Sequence, residues 1–144
     1  MNCPKLSGWC SILPKSGESV APIHDILEPR RHMINYVELA SVDPQIMCAF
    51  FEAKLGWSFE WFDPYYVAFH GAGLKGGIYR ADMASRSADG GALIVFYSRD
   101  LEASEALVLS HGTNIMKPIF DFPGGRQFKF AEPTGSEFAF WSNV

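Results

Sequence analysis

The chain has 144 residues, a formal net charge of −4 and an acidic pI near 5.5. This length is typical of one domain that buries its core without disulfides or structural metals, and the acidic balance argues against nucleic acid or membrane as a partner. Cys3, Cys10 and Cys48 form no CxxC pair, so we expect a reduced, cytoplasmic setting.

The first 32 residues differ from the rest of the chain and predict an N-terminal extension. They contain four prolines and show no hydrophobic periodicity. We therefore expect one domain at 33–144, with a first repeat at 33–82 and a second at 91–143.

A short pattern occurs twice, in the same order, after this extension. Asp43 and Asp100 each follow a predicted strand and precede an amphipathic stretch. Gly56 ends the first stretch and Gly112 ends the second. Each Asp suits a helix N-cap, because its carboxylate accepts from free amides of the first turn, and each Gly suits the left-handed residue that closes a helix.

Three further strands are predicted after each helix, so the repeated unit is βαβββ and the fold class is α+β. The predicted elements of the first repeat are a strand at 34–39, a helix at 43–55 and strands at 57–62, 65–70 and 76–80. Those of the second repeat are a strand at 92–98, a helix at 100–110 and strands at 114–121, 126–130 and 136–142.

Short motifs in both repeats carry a family resemblance. They are, in chain order, YVE at 36–38, DP at 43–44, FFE at 50–52, LGW at 55–57, KPIFDFPGGR at 117–126, FKF at 128–130 and EPTGSEFAFW at 132–141. With them, residues 33–143 resemble the vicinal oxygen chelate superfamily, and within it the small glyoxalase/bleomycin-resistance-like proteins. The resemblance implies two βαβββ repeats that form a cupped, barrel-like mixed sheet with helices outside, a ligand in the cup and a homodimer.

In metal-dependent members of this superfamily, four strand positions supply the ligands, usually His or Glu. The resemblance maps these positions to Tyr36, Ile78, Ile94 and Ala139, where a one-residue loop difference moves the third from Leu93 to Ile94. Alkyl groups donate no lone pair and a lone phenol binds weakly, so these side chains predict no metal and no other cofactor.

Other apparent ligands and motifs are assigned structural roles. His24, His32, His70 and His111 are predicted to be surface or capping residues. The GxGxxG match at 71–76 precedes a predicted strand rather than a helix, so it predicts a hairpin turn instead of a dinucleotide site.

Strand alternation predicts which side chains share the cup with the four mapped positions. The predicted ligand-binding residues are Tyr36, Glu38, Ile78, Ile94, Phe96, Ser98, Glu137, Ala139 and Trp141. The residues predicted to face the helices are Val37, Leu39, Val95, Phe138 and Phe140. An aromatic and aliphatic lining with a few polar groups is usual for a small-molecule site.

Structural roles remain open for three of these residues. Glu38 is either a cup residue or a structural one, exposed at the mouth or paired with Arg126 or Lys129. Glu137 is either a cup residue or a rim residue that stabilises the preceding turn. Trp141 is either a stacking platform or part of the core.

Three functions are compatible with this sequence. The leading hypothesis is a metal-independent binding protein of glyoxalase/bleomycin-resistance type, which holds a small aromatic or cationic molecule in an aromatic cup. The alternative is a lyase or isomerase of the same superfamily in which Glu38 is the general base. The third is a dimeric interaction module whose cup is filled by its own side chains. A homodimer is expected because open repeats leave strand edges that are costly to expose.

Overall fold

The computed structural model describes residues 29–109 and 112–144, so most of the predicted extension, His24 and His111 lie outside the described residues. The first repeat consists of β1 (Tyr36–Ser41), α1 (Pro44–Leu55), β2 (Ser58–Asp63), β3 (Tyr66–His70) and β4 (Lys75–Arg80). The second repeat consists of β5 (Ile94–Tyr97), α2 (Leu101–Leu109), β6 (Asn114–Phe122), β7 (Gly125–Ala131) and β8 (Glu137–Ser142). The predicted α+β class with two βαβββ repeats is confirmed.

The strands form two four-stranded mixed sheets, in the orders β1-β4-β3-β2 and β5-β8-β7-β6. The β1–β4 and β5–β8 pairs are parallel, and the other pairs are antiparallel. Within the described residues the sheets do not close into a barrel, and β1 and β5 are inner edge strands that line shared cavities. Neither α1 nor α2 has the length and apolar character needed to cross a bilayer.

The two predicted N-caps fix the point at which each repeat turns from strand to helix. Asp43 Oδ1 accepts a hydrogen bond from the N–H of Ile46 at 3.3 Å, and Asp100 Oδ1 accepts one from Ala103 at 3.1 Å. Gly56 closes α1 with a φ of 72°, a left-handed conformation that glycine adopts without strain.

The core is shared between the repeats through aromatic side chains. Phe51 of α1 stacks on Trp57 with ring centroids 4.2 Å apart, and it meets Phe138 of β8 edge-on at 5.0 Å. Because Phe138 belongs to the second repeat, α1 joins both sheets. Ile46 of the same helix is 48% exposed and does not take part in this core.

A buried carboxylate organises the turn between β7 and β8. Glu132 is 2% exposed and accepts hydrogen bonds from the N–H groups of Thr134 at 2.8 Å and Ser136 at 3.0 Å. Burial raises the pKa of Glu132, and the hydrogen bonds from Thr134 and Ser136 oppose this only in part.

This raised pKa predicts a pH dependence of stability. The folded chain binds the Glu132 proton more tightly than the unfolded chain, so the free energy of unfolding should fall as the pH rises from 4.5 through the folded pKa. We expect Glu132→Gln to flatten this fall, and Glu60→Gln on the surface of β2 to leave it unchanged. Urea denaturation across this pH range checks the slope, and equal slopes for wild type and Glu132→Gln would contradict the assignment.

Candidate functional site

The register of β1 and β4 decides which side chains share a face of the first sheet. Tyr36 lies opposite Lys75 and Glu38 lies opposite Gly77, and opposite residues of a parallel pair point to the same side. Ile78 points to the other side and belongs to the buried core beside the helices. We call the side away from the helices the open face of the first sheet; it carries Tyr36, Glu38, Lys75 and Gly77.

The second sheet follows the same rule. Val95 lies opposite Ala139, and Tyr97 lies opposite Trp141. These four residues form the open face of the second sheet, on which Tyr97 and Trp141 have ring centroids 5.2 Å apart. Ile94 lies opposite the buried Phe138, so it points toward the core.

The prediction that nine residues share one face is therefore wrong for four of them, Ile78, Ile94, Phe96 and Ser98. Tyr36 stands seven residues before the capping Asp43, and the residue seven before Asp100 is Leu93, which preserves the alternation. The one-residue loop difference that leads to Ile94 instead turns every later side chain to the opposite face. For the same reason Val95, predicted to face the helices, is 40% exposed on the open face.

The register also corrects the positions that supply metal ligands in the related family. The hairpin pairing places Gly77, rather than Ile78, at the β4 position equivalent to Ala139. With Leu93 in place of its neighbour, the four positions are Tyr36, Gly77, Leu93 and Ala139. Only the phenol of Tyr36 has a donor atom, so this set does not fit a divalent ion. Across 29–109 and 112–144, no three His, Cys, Asp or Glu side chains are grouped for metal binding.

A chain of polar groups crosses the open face of the first sheet instead. The hydroxyl oxygens of Tyr36 and Tyr66 are 2.6 Å apart, and the Tyr66 hydroxyl donates to Glu38 Oε1 at 3.1 Å. Gly77 makes room for them, because a Cβ there would clash with the Tyr66 hydroxyl and lie 2.9 Å from that of Tyr36. Desolvation raises the pKa of Tyr66, and the hydrogen bonds to Tyr36 and Glu38 raise it further.

A cavity of about 270 Å³ lies between the inner edges of the two sheets. Val37 of β1 and Ile94 of β5 contribute to its apolar wall. Its polar lining consists of Glu38, Tyr79, Ser85, Ser136 and Glu137. The structure therefore brings three of the predicted site residues, Glu38, Ile94 and Glu137, to one cavity.

Glu137 also forms hydrogen bonds to the segment that connects the two repeats, and these bonds hold that segment beside the cavity. Its Oε1 accepts hydrogen bonds from both the N–H and the hydroxyl of Ser87, each at 2.8 Å. Its own N–H donates to the carbonyl of Ser85 at 2.8 Å. These bonds give Glu137 a structural role in addition to its place on the cavity wall.

The other predicted site residues lie elsewhere. Trp141 is half-buried and contacts Tyr97 and Phe122 rather than the cavity. Ser98 accepts the N–H of Asp100 at 3.0 Å, which places it at the start of α2. Binding roles for Tyr36, Ala139 and Trp141 stay predictions.

Of the structural alternatives for Glu38, the structure shows exposure, because Glu38 is an exposed residue of β1. It does not show the ion pair with Arg126. The guanidinium of Arg126 binds Glu102 of α2, with Nη2 3.2 Å from Oε1. Glu38 accepts its hydrogen bond from Tyr66 instead and lies on the cavity wall. Neither Tyr66 nor Tyr79 appeared among the predicted site residues, although both follow from the β3–β4 register that sets them opposite each other.

The family model of the Glyoxalase/Bleomycin resistance protein/Dioxygenase superfamily matches residues 33–140. The chain belongs to this superfamily. No curated protein sequence gives a significant match.

Solved structures of this superfamily share the fold at low sequence identity. A family enzyme from Burkholderia phytofirmans PsJN has a TM-score of 0.63 at 12% identity, covering 76% of this chain and 98% of that one. The fosfomycin resistance protein FosX from Listeria monocytogenes has a TM-score of 0.64 at 16% identity, covering 80% and 96%. A lactoylglutathione lyase from Agrobacterium tumefaciens has a TM-score of 0.60 at 16% identity, covering 79% and 96%. These likenesses show the fold alone.

Proposed function

We propose that this superfamily member binds a small organic molecule, without a metal ion, in the cavity between β1 and β5. The cavity carries the proposal, because it combines an apolar wall with a few polar groups, as small-molecule sites usually do. Its volume of about 270 Å³ is just below the roughly 300–1,000 Å³ typical of pockets for drug-sized ligands, so the ligand is a smaller molecule.

The donor chemistry of the open faces supports metal independence. Leu93, Gly77 and Ala139 bring no lone pair to the positions that supply ligands in metal-dependent relatives. The remaining phenol, that of Tyr36, forms a hydrogen bond with the hydroxyl of Tyr66. A ligand must therefore be held by hydrogen bonds, charge and apolar contact.

A ligand screen tests this function on the full chain. We expect compounds from small-molecule and antibiotic libraries to raise the melting temperature equally with and without EDTA. Ala92 lines the cavity and Ala88 of the same connecting segment does not. Ala92→Leu should therefore abolish the shift by filling the cavity, whereas Ala88→Leu should retain it. Hits that bind Ala92→Leu as well as wild type would contradict this location.

The hydrogen bond from Tyr66 to Glu38 supports a second candidate function. A lyase or isomerase could use the positioned Glu38 carboxylate to remove a proton from a ligand in the cavity. Turnover of a bound compound that is lost in Glu38→Gln, with binding retained, would distinguish this enzyme from a binding protein.

We also propose that the chain is a cytoplasmic homodimer. Tyr36, Tyr79 and Tyr97 are 43%, 40% and 51% exposed, and exposed aromatic side chains are enriched at interfaces. Burial raises the pKa of the Cys48 thiol to about 12, which makes it unreactive and suits a reduced compartment. Light scattering that shows a monomer at micromolar concentration would contradict the dimer.

A further inference from the structure

The polar chain on the first sheet offers hydrogen-bond acceptors, and no free hydroxyl hydrogen, to a ligand. A carboxylate has no hydrogen to donate, so the single hydroxyl hydrogen of Tyr66 goes to Glu38 Oε1. Tyr66 must then accept the hydroxyl hydrogen of Tyr36 across the 2.6 Å that separates their oxygens. The hydroxyl hydrogens of Tyr36 and Tyr66 are thus both used in hydrogen bonds among these three side chains. The lone pairs of Tyr36 and the second oxygen of Glu38 remain available.

Glu137 adds another acceptor to the same cavity. The residue is 6% exposed, and its Oε1 takes both hydrogen bonds from Ser87. Among the described residues no hydrogen bond reaches its other oxygen, Oε2. Glu137 Oε2 is not a buried atom without a partner, so it keeps access to solvent and can accept a hydrogen bond from a ligand in the cavity.

The charges on the cavity wall have one sign. Glu38 and Glu137 are acidic, and the described lining includes no Lys, Arg or His. Lys75 stands on the same open face as Glu38 but does not line the cavity. The guanidinium of Arg86 donates to the carbonyl of Gly135 at 2.6 Å and also lies outside the lining.

We propose that the ligand of this cavity is an organic cation whose protonated amine or guanidinium group donates hydrogen bonds to Glu38 and Glu137. This inference rests on the proposed function, because it names the ligand class of the same cavity. Such a group supplies both the donors and the positive charge that the two carboxylates lack, and charge-assisted hydrogen bonds are the strongest of their kind. The ring of Tyr79 on the cavity wall adds an aromatic surface, which attracts cations.

Three probes of similar size test the ligand class: phenethylammonium, phenethyl alcohol and phenylacetate. They share an aromatic ring and differ in charge. In titrations followed by two-dimensional amide NMR at neutral pH, we expect phenethylammonium to bind about tenfold more tightly than the alcohol. Phenylacetate should bind most weakly. The shifted amides should include Ala40 and Glu137, which line the cavity.

Matched variants distinguish the effect of the two cavity carboxylates on binding from the effect of the protein's net charge. The double variant Glu38→Gln/Glu137→Gln should reduce the preference for the ammonium over the alcohol to about twofold or less, because neutral amides keep the shape and lose the charge. Glu60→Gln removes one charge on β2, outside the cavity lining, and should leave the preference unchanged. Dispersed amide spectra verify that each variant is folded.

The outcomes distinguish this inference from the function on which it rests. Equal binding of the ammonium and the alcohol by wild type would overturn the cation assignment and leave a small-molecule site in place. A preference that persists in the double variant would also overturn it. No binding of any probe at millimolar concentration would overturn the cavity as a binding site, and the proposed function with it.

Discussion

Phe51→Ala should lower the free energy of unfolding by about 3–5 kcal/mol. The Phe51 side chain is fully buried and lies between Trp57 of the first repeat and Phe138 of the second. Its removal leaves a cavity where α1 joins the two sheets, so both repeats lose contacts at once. Chemical denaturation followed by circular dichroism measures this loss.

Phe62→Ala is the matched control. Phe62 is the same residue type in the same repeat, but it is 64% exposed. Its truncation should change the free energy of unfolding by no more than about 0.5 kcal/mol. A loss below about 1 kcal/mol for Phe51→Ala would contradict a core shared by the two repeats.

Gly76→Ala should destabilise the chain by on the order of 3 kcal/mol. A Cβ at Gly76 would clash with the carbonyl oxygen of Val37 in β1 and with the ring of Phe69. The Val37 oxygen belongs to the backbone, so β1 and β4 must separate to make room for it. This separation would also deform the cavity, whose wall includes Val37.

Gly77→Ala provides a comparison at the neighbouring position. A Cβ at Gly77 would clash with the ends of the Tyr66 and Tyr36 side chains, which can rotate away. We therefore expect Gly77→Ala to lower the free energy of unfolding by less than Gly76→Ala does. It should nevertheless displace the hydrogen-bonded hydroxyl groups of Tyr36 and Tyr66. The same denaturation experiment compares the two variants, and equal losses would contradict the close approach of β1 and β4.

The fold was predictable from the sequence because local chemistry marks its elements. Asp43 and Asp100 cap the helices through their own first turns, and these short-range interactions appear directly in the residue order. The duplicated order of elements then gives the βαβββ repeat. The gap between the two sheets was not predictable in this way, because it depends on how the repeats pack.

The faces of the second sheet were harder to predict. Ile94, Val95, Phe96 and Tyr97 are all apolar or aromatic, so β5 shows no alternation that distinguishes its two faces. A single-residue error in the assumed loop length therefore exchanged core and open-face residues without any conflict in the pattern. The strand pairing of Ile94 with Phe138 resolves the choice.

The connecting segment was missed for a different reason. Ser85 and Ser87 lie in a stretch without hydrophobic periodicity, and they reach the cavity wall through hydrogen bonds to Glu137 about fifty residues away in sequence. Such long-range polar contacts leave no local pattern. The sequence predicted Glu38 and Glu137 separately as site residues. It did not indicate that both line the same cavity.

We propose that this superfamily member has a metal-free binding cavity in place of a metal centre. Elemental analysis tests it most directly, on the full chain purified without an affinity tag, after exposure to Zn²⁺, Ni²⁺, Fe²⁺ and Mn²⁺ and removal of free ions. We predict well under one metal ion per chain, and a melting temperature that EDTA does not change. One ion per chain, with a melting temperature that falls in EDTA, would contradict the assignment of all four ligand positions and restore a metalloenzyme, with Glu38 as the first ligand to test.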